Sequence, residues 1–226
     1  LFRSGTDLFF YGIPSGFRWT AAEEDAGEYA VQPSASSVKA LVNNMLYDKD
    51  IRDDLCDFLE EKYGKIRFFE ELTMGKSRAD IVMVTENGLY GIEIKSDADT
   101  YQRLERQVKD YDRFYDYNIV VVGTTHAGHI GEHVPDYWGI ITVEFVDGKV
   151  DLYEYRNPSP CPKAKLINQM HFLWKSEMRH IQDKLNLYKY SDKSRAYIRK
   201  YLMDNVPHEE LKAYLIEELF EREYHL

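Results

Sequence analysis

The chain has 226 residues, of which 44% are hydrophobic and 30% charged, a composition typical of a folded globular protein. This composition excludes collagen-like, low-complexity and wholly disordered proteins, and the longest aliphatic run, residues 119–122, is far too short to span a membrane. The net charge of −10 argues against a protein that binds nucleic acid tightly through an overall positive charge.

The N-terminal part of the chain divides into an irregular segment and a helical one. Residues 1–37 show no periodicity, because Gly, Pro, Ser and acidic residues interrupt them. From Ser37 to Tyr63 apolar residues recur at helical spacing, and Gly64 is a typical stop signal. We therefore predict an irregular segment over 1–37 and a main domain over 38–158 that opens with a helix.

Short apolar runs after this helix predict a sheet that one further helix interrupts. The Asn-Gly pair at 87–88 and the Asp-Gly pair at 147–148 are tight-turn signals, so the strands beside each pair are expected to be antiparallel. Apolar residues at helical spacing predict the helix over about Asp99–Phe114. The predicted strands are Ile66–Leu72, Ala79–Val84, Leu89–Ser96, Ile119–Gly123, Gly139–Phe145 and Lys149–Tyr155.

The remainder of the chain, residues 159–226, is predicted to be a helical module. Prolines at 158, 160 and 162 mark its boundary. We expect helices over Lys163–Leu187 and Lys193–Asn205, and a last helix that starts at Pro207. The predicted fold class is therefore α/β with a C-terminal all-α appendage.

Charged residues occur where a buried strand is expected. In the strand Leu89–Ser96 the apolar residues fall on one face, while Glu93 and Lys95 share the other. Such charges are costly to bury unless they are paired or bind a metal. The predicted hairpin brings Asp80 of the preceding strand close to both. The two carboxylates, on one face of a sheet beside the lysine, can bind a hard cation such as Mg²⁺.

Asp80 followed by Glu93-Ile94-Lys95 resembles the motif of the PD-(D/E)XK nuclease superfamily. Gln107 and Tyr111 are four residues apart and share a helix face, and they are similar to the Gln-x-x-x-Tyr element of its RecB-like branch. The resemblance covers about residues 71–143, and the wider pattern is similar to that of a small bacterial or prophage family.

This resemblance implies a restriction-endonuclease-like αβββαβ core with a mixed sheet and hydrolysis of phosphodiester bonds with Mg²⁺ or Mn²⁺. It implies that Lys95 orients the attacking water or neutralises charge in the transition state. The residues implied to hold the metal are Glu71, Asp80, Glu93 and the carbonyl of Ile94. The residues implied to act in catalysis are Asp80, Glu93, Lys95, Gln107 and Tyr111.

Several interpretations of the acidic residues stay open. The acids that could complete the metal site are Glu60, Glu61, Glu70 and Glu71. We choose Glu71 because it lies directly before the motif strands, although all four could be solvated surface acids. Asp80, Glu93 and Lys95 could instead form a structural ion-pair network. Histidines within 126–133 are an alternative zinc site, but no cysteine frames them.

One region of the acidic chain is basic. Residues 163–200 contain ten Lys or Arg and three Asp or Glu, with tyrosines interleaved towards the end. Lys and Arg can neutralise phosphates, and Tyr can stack on unpaired bases. A solvated helix face with its tyrosines packed inward is an equally open interpretation. The candidate nucleic-acid-binding residues are Lys189, Lys193, Arg195, Arg199 and Lys200.

Taken together, the sequence predicts a metal-dependent nuclease, with DNA favoured as substrate and a function in DNA repair, defence or phage biology. The alternative is a noncatalytic nuclease-fold module that binds nucleic acid or protein. Two distant cysteines and the lack of a leader or membrane segment predict a cytoplasmic protein with no membrane partner. The form of the substrate, endo- or exonuclease activity and the oligomeric state stay open.

Overall fold

A computed structural model describes residues 48–95, 101–147 and 149–222. The predicted segment 1–37, the first part of the helix predicted from Ser37 and the predicted helix start at Asp99 lie outside these residues. The elements, in chain order, are α1 (Asp48–Tyr63), β1 (Arg67–Met74), β2 (Ser77–Thr85), β3 (Gly88–Lys95), α2 (Leu104–Phe114), β4 (Tyr117–Gly123), α3 (Ala127–Ile130), β5 (Gly139–Val146), β6 (Lys149–Arg156), α4 (Leu166–Gln169), α5 (Lys175–Lys184), α6 (Arg195–Asn205) and α7 (His208–Glu221).

The six strands form one mixed sheet in the order β1-β2-β3-β4-β5-β6. Strand β4 pairs in parallel with β3 and β5, whereas the three remaining neighbouring pairs are antiparallel. The parallel β3–β4 pair requires a crossover connection, which α2 provides. The predicted α/β class and the two predicted hairpins are thereby confirmed.

Helix α1 covers one face of the sheet. Its buried residues Ile51, Leu55 and Leu59 recur at i, i+4 and i+8, so they form one apolar stripe. This stripe shares a hydrophobic cluster with residues of the central strands, among them Ile92 and Ile119. The helix ends as predicted, because Gly64 adopts a φ of +74° that an L side chain rarely tolerates.

The opposite face of the sheet packs against α2 and the C-terminal helices. Leu211, Leu215 and Leu219 of α7 belong to the same buried cluster as Val82 of β2 and Val120 of β4. The C-terminal helices therefore share a core with the sheet. Within the described ranges, none of the helices is both long and apolar enough to cross a membrane.

The helix predicted over Lys163–Leu187 is divided into α4 and α5. Met170, Phe172 and Leu173 lie between the two helices and are all buried, whereas a single amphipathic stripe would leave some of these neighbouring residues exposed. Helix α5 then starts afresh, because the Glu177 carboxylate accepts a hydrogen bond of 2.6 Å from the Trp174 backbone N–H.

Candidate functional site

Glu93 lies in the middle of β3 and is the acceptor of a buried hydrogen-bond network. Its exposure is 1%. Lys95 Nζ lies 2.5 Å from Oε1, the Tyr111 hydroxyl donates to Oε2 at 2.7 Å, and Gln107 Nε2 donates to Oε1. These donors offset the cost of burying a charged group. The structure therefore brings together four of the predicted site residues.

Helix α2 reaches Glu93 because the sheet beneath it carries a glycine. A Cβ atom on Gly91 would lie 2.2 Å from the Tyr115 ring and 2.6 Å from the Tyr111 ring, so no larger residue fits. Gly91 and Glu93 are two positions apart and share a face of β3. The close approach thus sets the Tyr111 hydroxyl at Glu93.

Tyr111 is fully buried and acts as a neutral hydrogen-bond donor. Its hydroxyl also lies 3.1 Å from the Ile92 carbonyl oxygen. Burial, followed by the negative charges of Glu93 and Asp80, raises the pKa of Tyr111 well above its ordinary value. The phenol therefore keeps its proton and continues to donate to the carboxylate at any physiological pH.

Asp80 lies where the β2–β3 ladder ends. The last backbone pair at this end joins Ile81 to Ile92. One residue further, the Asp80 Oδ2 atom accepts a hydrogen bond of 2.8 Å from the Ile94 backbone N–H. The carboxylate thus takes the place of a backbone acceptor, which fixes the half-buried Asp80 beside the strand that carries Glu93 and Lys95.

Glu71 lies at about the same level of the sheet as the two motif acids, although no backbone pair joins it to them. Glu70 pairs with Ile81, which pairs with Ile92, and the three acids each follow one residue beyond this row. However, the exposed Glu71 carboxylate pairs with Arg78 at 2.9 Å and is not part of the Glu93 network. Its φ of +53° is uncommon for a residue with a side chain, and strained backbone tends to occur at functional sites.

Arg52 of α1 is a neighbour of Asp80 that the sequence pattern does not reveal. Its Nη1 atom lies 3.0 Å from Glu70 Oε2 and 3.4 Å from the backbone carbonyl oxygen of Asp80. Glu70, one of the alternative acids, is therefore engaged in an ion pair with this arginine. The contact depends on how α1 crosses the sheet, so no spacing within the sequence could have indicated it.

Two other acids of α2 hold the helix in place. Asp110 accepts a hydrogen bond of 2.7 Å from the Ser77 hydroxyl, and Asp112 accepts one of 2.9 Å from the Trp138 indole N–H. Both carboxylates are buried and have donors from the sheet side of the fold. We assign them a structural role, because their oxygens are already engaged away from the Glu93 network.

The donor set at Asp80 and Glu93 fits a hard divalent cation. Mg²⁺ is commonly held by one or two carboxylates and several waters. In addition, Gln107 Oε1 is buried without a hydrogen-bond partner among the described residues, while Nε2 of the same amide is engaged by Glu93. A buried polar atom of this kind indicates a missing partner such as a water or a cation.

The protein atoms of the described residues do not complete a metal cage by themselves. Over 48–95, 101–147 and 149–222, no group of three or more His, Cys, Asp or Glu side chains could hold a metal ion. The histidines at 126, 129 and 133 belong to no such group within these ranges. The candidate centre has two protein carboxylates, Asp80 and Glu93, with the Ile94 carbonyl as the further predicted ligand.

The candidate nucleic-acid-binding residues fall into two groups in the structure. The three lysines each pair with an aspartate: Lys189 with Asp183, Lys193 with Asp192, and Lys200 with Asp204. Arg195 and Arg199 of α6 form no ion pair with any described residue.

A family model described as "Bacteriophage P4 protein cII" matches residues 40–225, which is well over half of the chain. No match was found among curated proteins or among solved structures. The name of the family refers to a bacteriophage protein, in keeping with the prophage association expected from the sequence. The chain is therefore a member of the bacteriophage P4 protein cII family.

Proposed function

We propose that the protein is a metal-dependent nuclease of the PD-(D/E)XK type that hydrolyses phosphodiester bonds, with DNA as the favoured substrate. The observation that carries the proposal is the convergence of Lys95, Gln107 and Tyr111 on the buried Glu93, beside Asp80. A network that served only to fill the core could use apolar residues at lower cost.

The order of elements supports the same proposal. The chain runs α1, β1, β2, β3, α2, β4, which is the αβββαβ order expected of a restriction-endonuclease-like core. Each of the strands β1 to β3 carries an acid one residue beyond the row in which Glu70, Ile81 and Ile92 pair. The three acids, Glu71, Asp80 and Glu93, thus lie at about one level of the sheet.

The residues have distinct functions in the proposed mechanism. Asp80 and Glu93 would hold the metal, helped by the Ile94 carbonyl, and Glu71 is the acid of β1 that we expect to turn towards them. A bound Mg²⁺ supplies Lewis-acid stabilisation of the phosphate and acidifies a coordinated water. The Lys95 ammonium lies 2.5 Å from Glu93, where it can orient a nucleophilic water or stabilise developing negative charge.

Gln107 and Tyr111 are positioning residues in this scheme. Their hydrogen bonds to opposite oxygens of Glu93 fix the plane of its carboxylate. Tyr111 also binds the Ile92 carbonyl, so the helix and the strand are locked together at the centre. A carboxylate held in one orientation before the metal arrives loses less entropy on binding it.

The test is incubation of the full chain with labelled single-stranded, duplex and branched DNA, in Mg²⁺ or Mn²⁺ and in a chelator. Lys95→Ala and Asp80→Asn are compared with the wild-type protein, because the asparagine oxygen can still accept the Ile94 N–H. Glu105→Gln is the matched control, since this exposed acid of α2 contacts only Lys109 among the described residues.

We expect metal-dependent cleavage of at least one DNA form by the wild type and by Glu105→Gln. Each site variant should cleave about a hundredfold more slowly or not at all, while its thermal midpoint shows that it is folded. Absence of cleavage of every DNA form by the folded wild type would refute the nuclease proposal. DNA binding that is unaffected by Lys95→Ala would then favour the noncatalytic module.

A further inference from the structure

Two arginines of α6 differ from every other candidate nucleic-acid-binding residue. Lys189, Lys193 and Lys200 each have an aspartate within ion-pair distance. Arg195 and Arg199 have no carboxylate partner among the described residues, although the chain has ten more acidic than basic residues. Their positive charges are therefore not neutralised within the described part of the chain and are available to an external anion.

The placement of these arginines on the helix is unfavourable in the free protein. Arg195 is the first residue of α6, where the positive end of the helix dipole repels a cation. Arg199 follows at i+4 on the same face, and like charges at this spacing destabilise a helix. A negatively charged ligand would relieve both repulsions.

His171 adds a third group to the pair. The Arg195 guanidinium donates a hydrogen bond to the His171 backbone carbonyl. Burial, followed by the positive charge of Arg199 and then, more weakly, that of Arg195, lowers the pKa of the His171 ring. Arg195, Arg199 and His171 therefore lie close together, and the positive charges of the two arginines affect the His171 ring.

Arg199 also carries an unsatisfied donor. Its Nε–H is buried and has no hydrogen-bond partner in the described part of the chain. Leaving such a group unpaired is unfavourable, and more so when it is charged. An Arg guanidinium presents donors in a planar fork that matches two oxygens of a phosphate. Because the Arg199 side chain is only half-buried, a change of rotamer would let it pair this donor with a phosphate.

We propose that Arg195 and Arg199, with His171, form a binding site for one backbone phosphate of a nucleic-acid strand, remote from the bond that is cleaved. The identity of the ligand rests on the proposed function. The His171 ring lies 6.2 Å from the ring of Phe114, the last residue of α2. Phe114 and Gln107 are two turns apart on one face of α2, about 10 Å along its axis.

This position lets one strand contact both ends of α2. The phosphate site lies at the C-terminal end of that helix, and the candidate centre lies near its N-terminal end. A strand held at Arg195 and Arg199 would therefore be anchored a few nucleotides from Glu93.

The neighbouring tyrosines are not part of this site. At about 100° per residue, Tyr197 and Tyr201 lie on the other side of the buried Ile198–Leu202 ridge from the two arginines. They pack against the ring of Tyr190 at 5.1 and 5.2 Å between ring centroids. The site therefore recognises phosphate without base stacking, and we expect little dependence on base sequence.

The experiment is fluorescence anisotropy with a labelled single-stranded oligonucleotide in a chelator, so that neither metal binding nor cleavage is needed. The Arg195→Gln, Arg199→Gln double variant is compared with wild type and with Lys62→Gln. Lys62 is the control, because it is a cation of α1, on the opposite face of the sheet, that already pairs with Glu154.

We expect the double variant to bind at least about tenfold more weakly, and its slope of log K against log salt to fall by about one. Its thermal midpoint should change little, because the lost hydrogen bond from Arg195 to the His171 carbonyl is offset by the removal of charge repulsion. Lys62→Gln should bind nearly as the wild type does. Unchanged affinity of the double variant, an equal loss in Lys62→Gln, or a loss that accompanies a clearly lower midpoint would overturn the inference.

The outcome is separable from that of the cleavage assay. A protein that binds DNA through these arginines but never cleaves it would keep this inference and refute the proposed nuclease. A protein that cleaves DNA, but whose affinity for DNA does not depend on Arg195 and Arg199, would support the proposed nuclease and refute this inference.

Discussion

Glu93 combines almost complete burial with three hydrogen-bond donors from two elements. Lys95 supplies the opposite charge, while Gln107 and Tyr111 supply neutral donors, so both oxygens of the buried carboxylate have hydrogen-bond partners. One donor belongs to β3 and the other two belong to α2. Removal of one neutral donor is the most direct way to measure how much a hydrogen bond of this network contributes to stability.

Replacing Tyr111 by Phe should lower the free energy of unfolding by about 2 kcal/mol, since a hydrogen bond to a buried charge is lost with little change in volume. Urea unfolding measures the difference. Tyr155→Phe is the control, because that side chain is 60% exposed on β6 and should change stability little. Equal stability of Tyr111→Phe and wild type would show that the bond contributes nothing.

Cys56 of α1 should react slowly with alkylating reagents. Burial, followed by the charges of nearby acids led by Glu70, raises the pKa of its thiol to about 11. The thiolate is the reactive form, so the alkylation rate in the folded protein should still rise between about pH 9 and 10. In the urea-unfolded chain the alkylation rate should level off once the pH passes the ordinary thiol pKa of 9.0. Quantification of the Cys56 peptide by mass spectrometry tests this, and a folded-state plateau near the same pH would contradict it.

At the scale of single residues, the sequence was informative where side chains meet through one strand or one helix. Alternation on β3 predicted that Glu93 and Lys95 share a face, and the spacing in α2 predicted that Gln107 and Tyr111 do. The orientation of Glu71 towards Arg78 and the position of Arg52 at Asp80 were not predictable. Both depend on how separate elements cross in three dimensions.

At the scale of elements, the contact between α2 and β3 decides whether the centre forms. Gly91 allows the Tyr111 and Tyr115 rings to lie directly on the strand. These rings belong to the cluster that joins the sheet to the C-terminal helices. A change at this one position should therefore disturb stability and the site together.

Gly91→Ala should destabilise the protein by about 1–3 kcal/mol, because overpacking forces α2 away from the sheet. It should also slow cleavage, since Gln107 and Tyr111 move with the helix. Thermal unfolding and the cleavage assay measure the two effects. Gly128→Ala in α3 is the control, because a Cβ there meets no atom within 4 Å. If Gly91→Ala behaves like this control, the close packing is not required.

The elements themselves were largely predictable, except where tertiary packing overrides a helical pattern. The six strands and α2 follow from apolar periodicity and turn residues. The interruption between α4 and α5 does not, because Met170, Phe172 and Leu173 are buried from several directions by partners distant in sequence. A helical wheel contains no information about those partners.

At the scale of the whole molecule, the C-terminal helices and the sheet bury one common core. Leu215 of α7 is completely buried in the cluster that contains Val82 and Val120 of the sheet. Arg67 of β1 donates a hydrogen bond of 2.9 Å to the Phe220 carbonyl, which ties the end of α7 to the edge strand. We therefore expect the sheet and these helices to unfold in one transition.

Leu215→Ala should lower the free energy of unfolding by about 2–5 kcal/mol, as expected for a large-to-small change in a core. Far-UV circular dichroism and tryptophan fluorescence should report the same shifted transition, since Trp138 lies in this core. Glu210→Gln, an exposed change in the same helix, should shift it by a few tenths of a kcal/mol at most. Two separate transitions would contradict a common core.

The acidic net charge of −10 is compatible with a nucleic-acid substrate on this account. A divalent cation at Asp80 and Glu93 would neutralise the carboxylates that face the phosphate. The two arginines of α6 would supply local positive charge at the other end of α2. Binding should then depend on a few defined contacts rather than on the overall charge of the protein.

The most direct test of the central claim, that Asp80 and Glu93 form a divalent-metal site, is calorimetric titration of Mn²⁺ into the wild type and Asp80→Asn. We expect one or two ions per wild-type chain and binding at least about tenfold weaker in the variant, because a charged oxygen ligand is replaced by a neutral one. The two proteins should have the same thermal midpoint in a chelator, since asparagine can still accept the Ile94 N–H. Absence of Mn²⁺ binding by the wild type, or equal affinity of the folded variant, would contradict the claim.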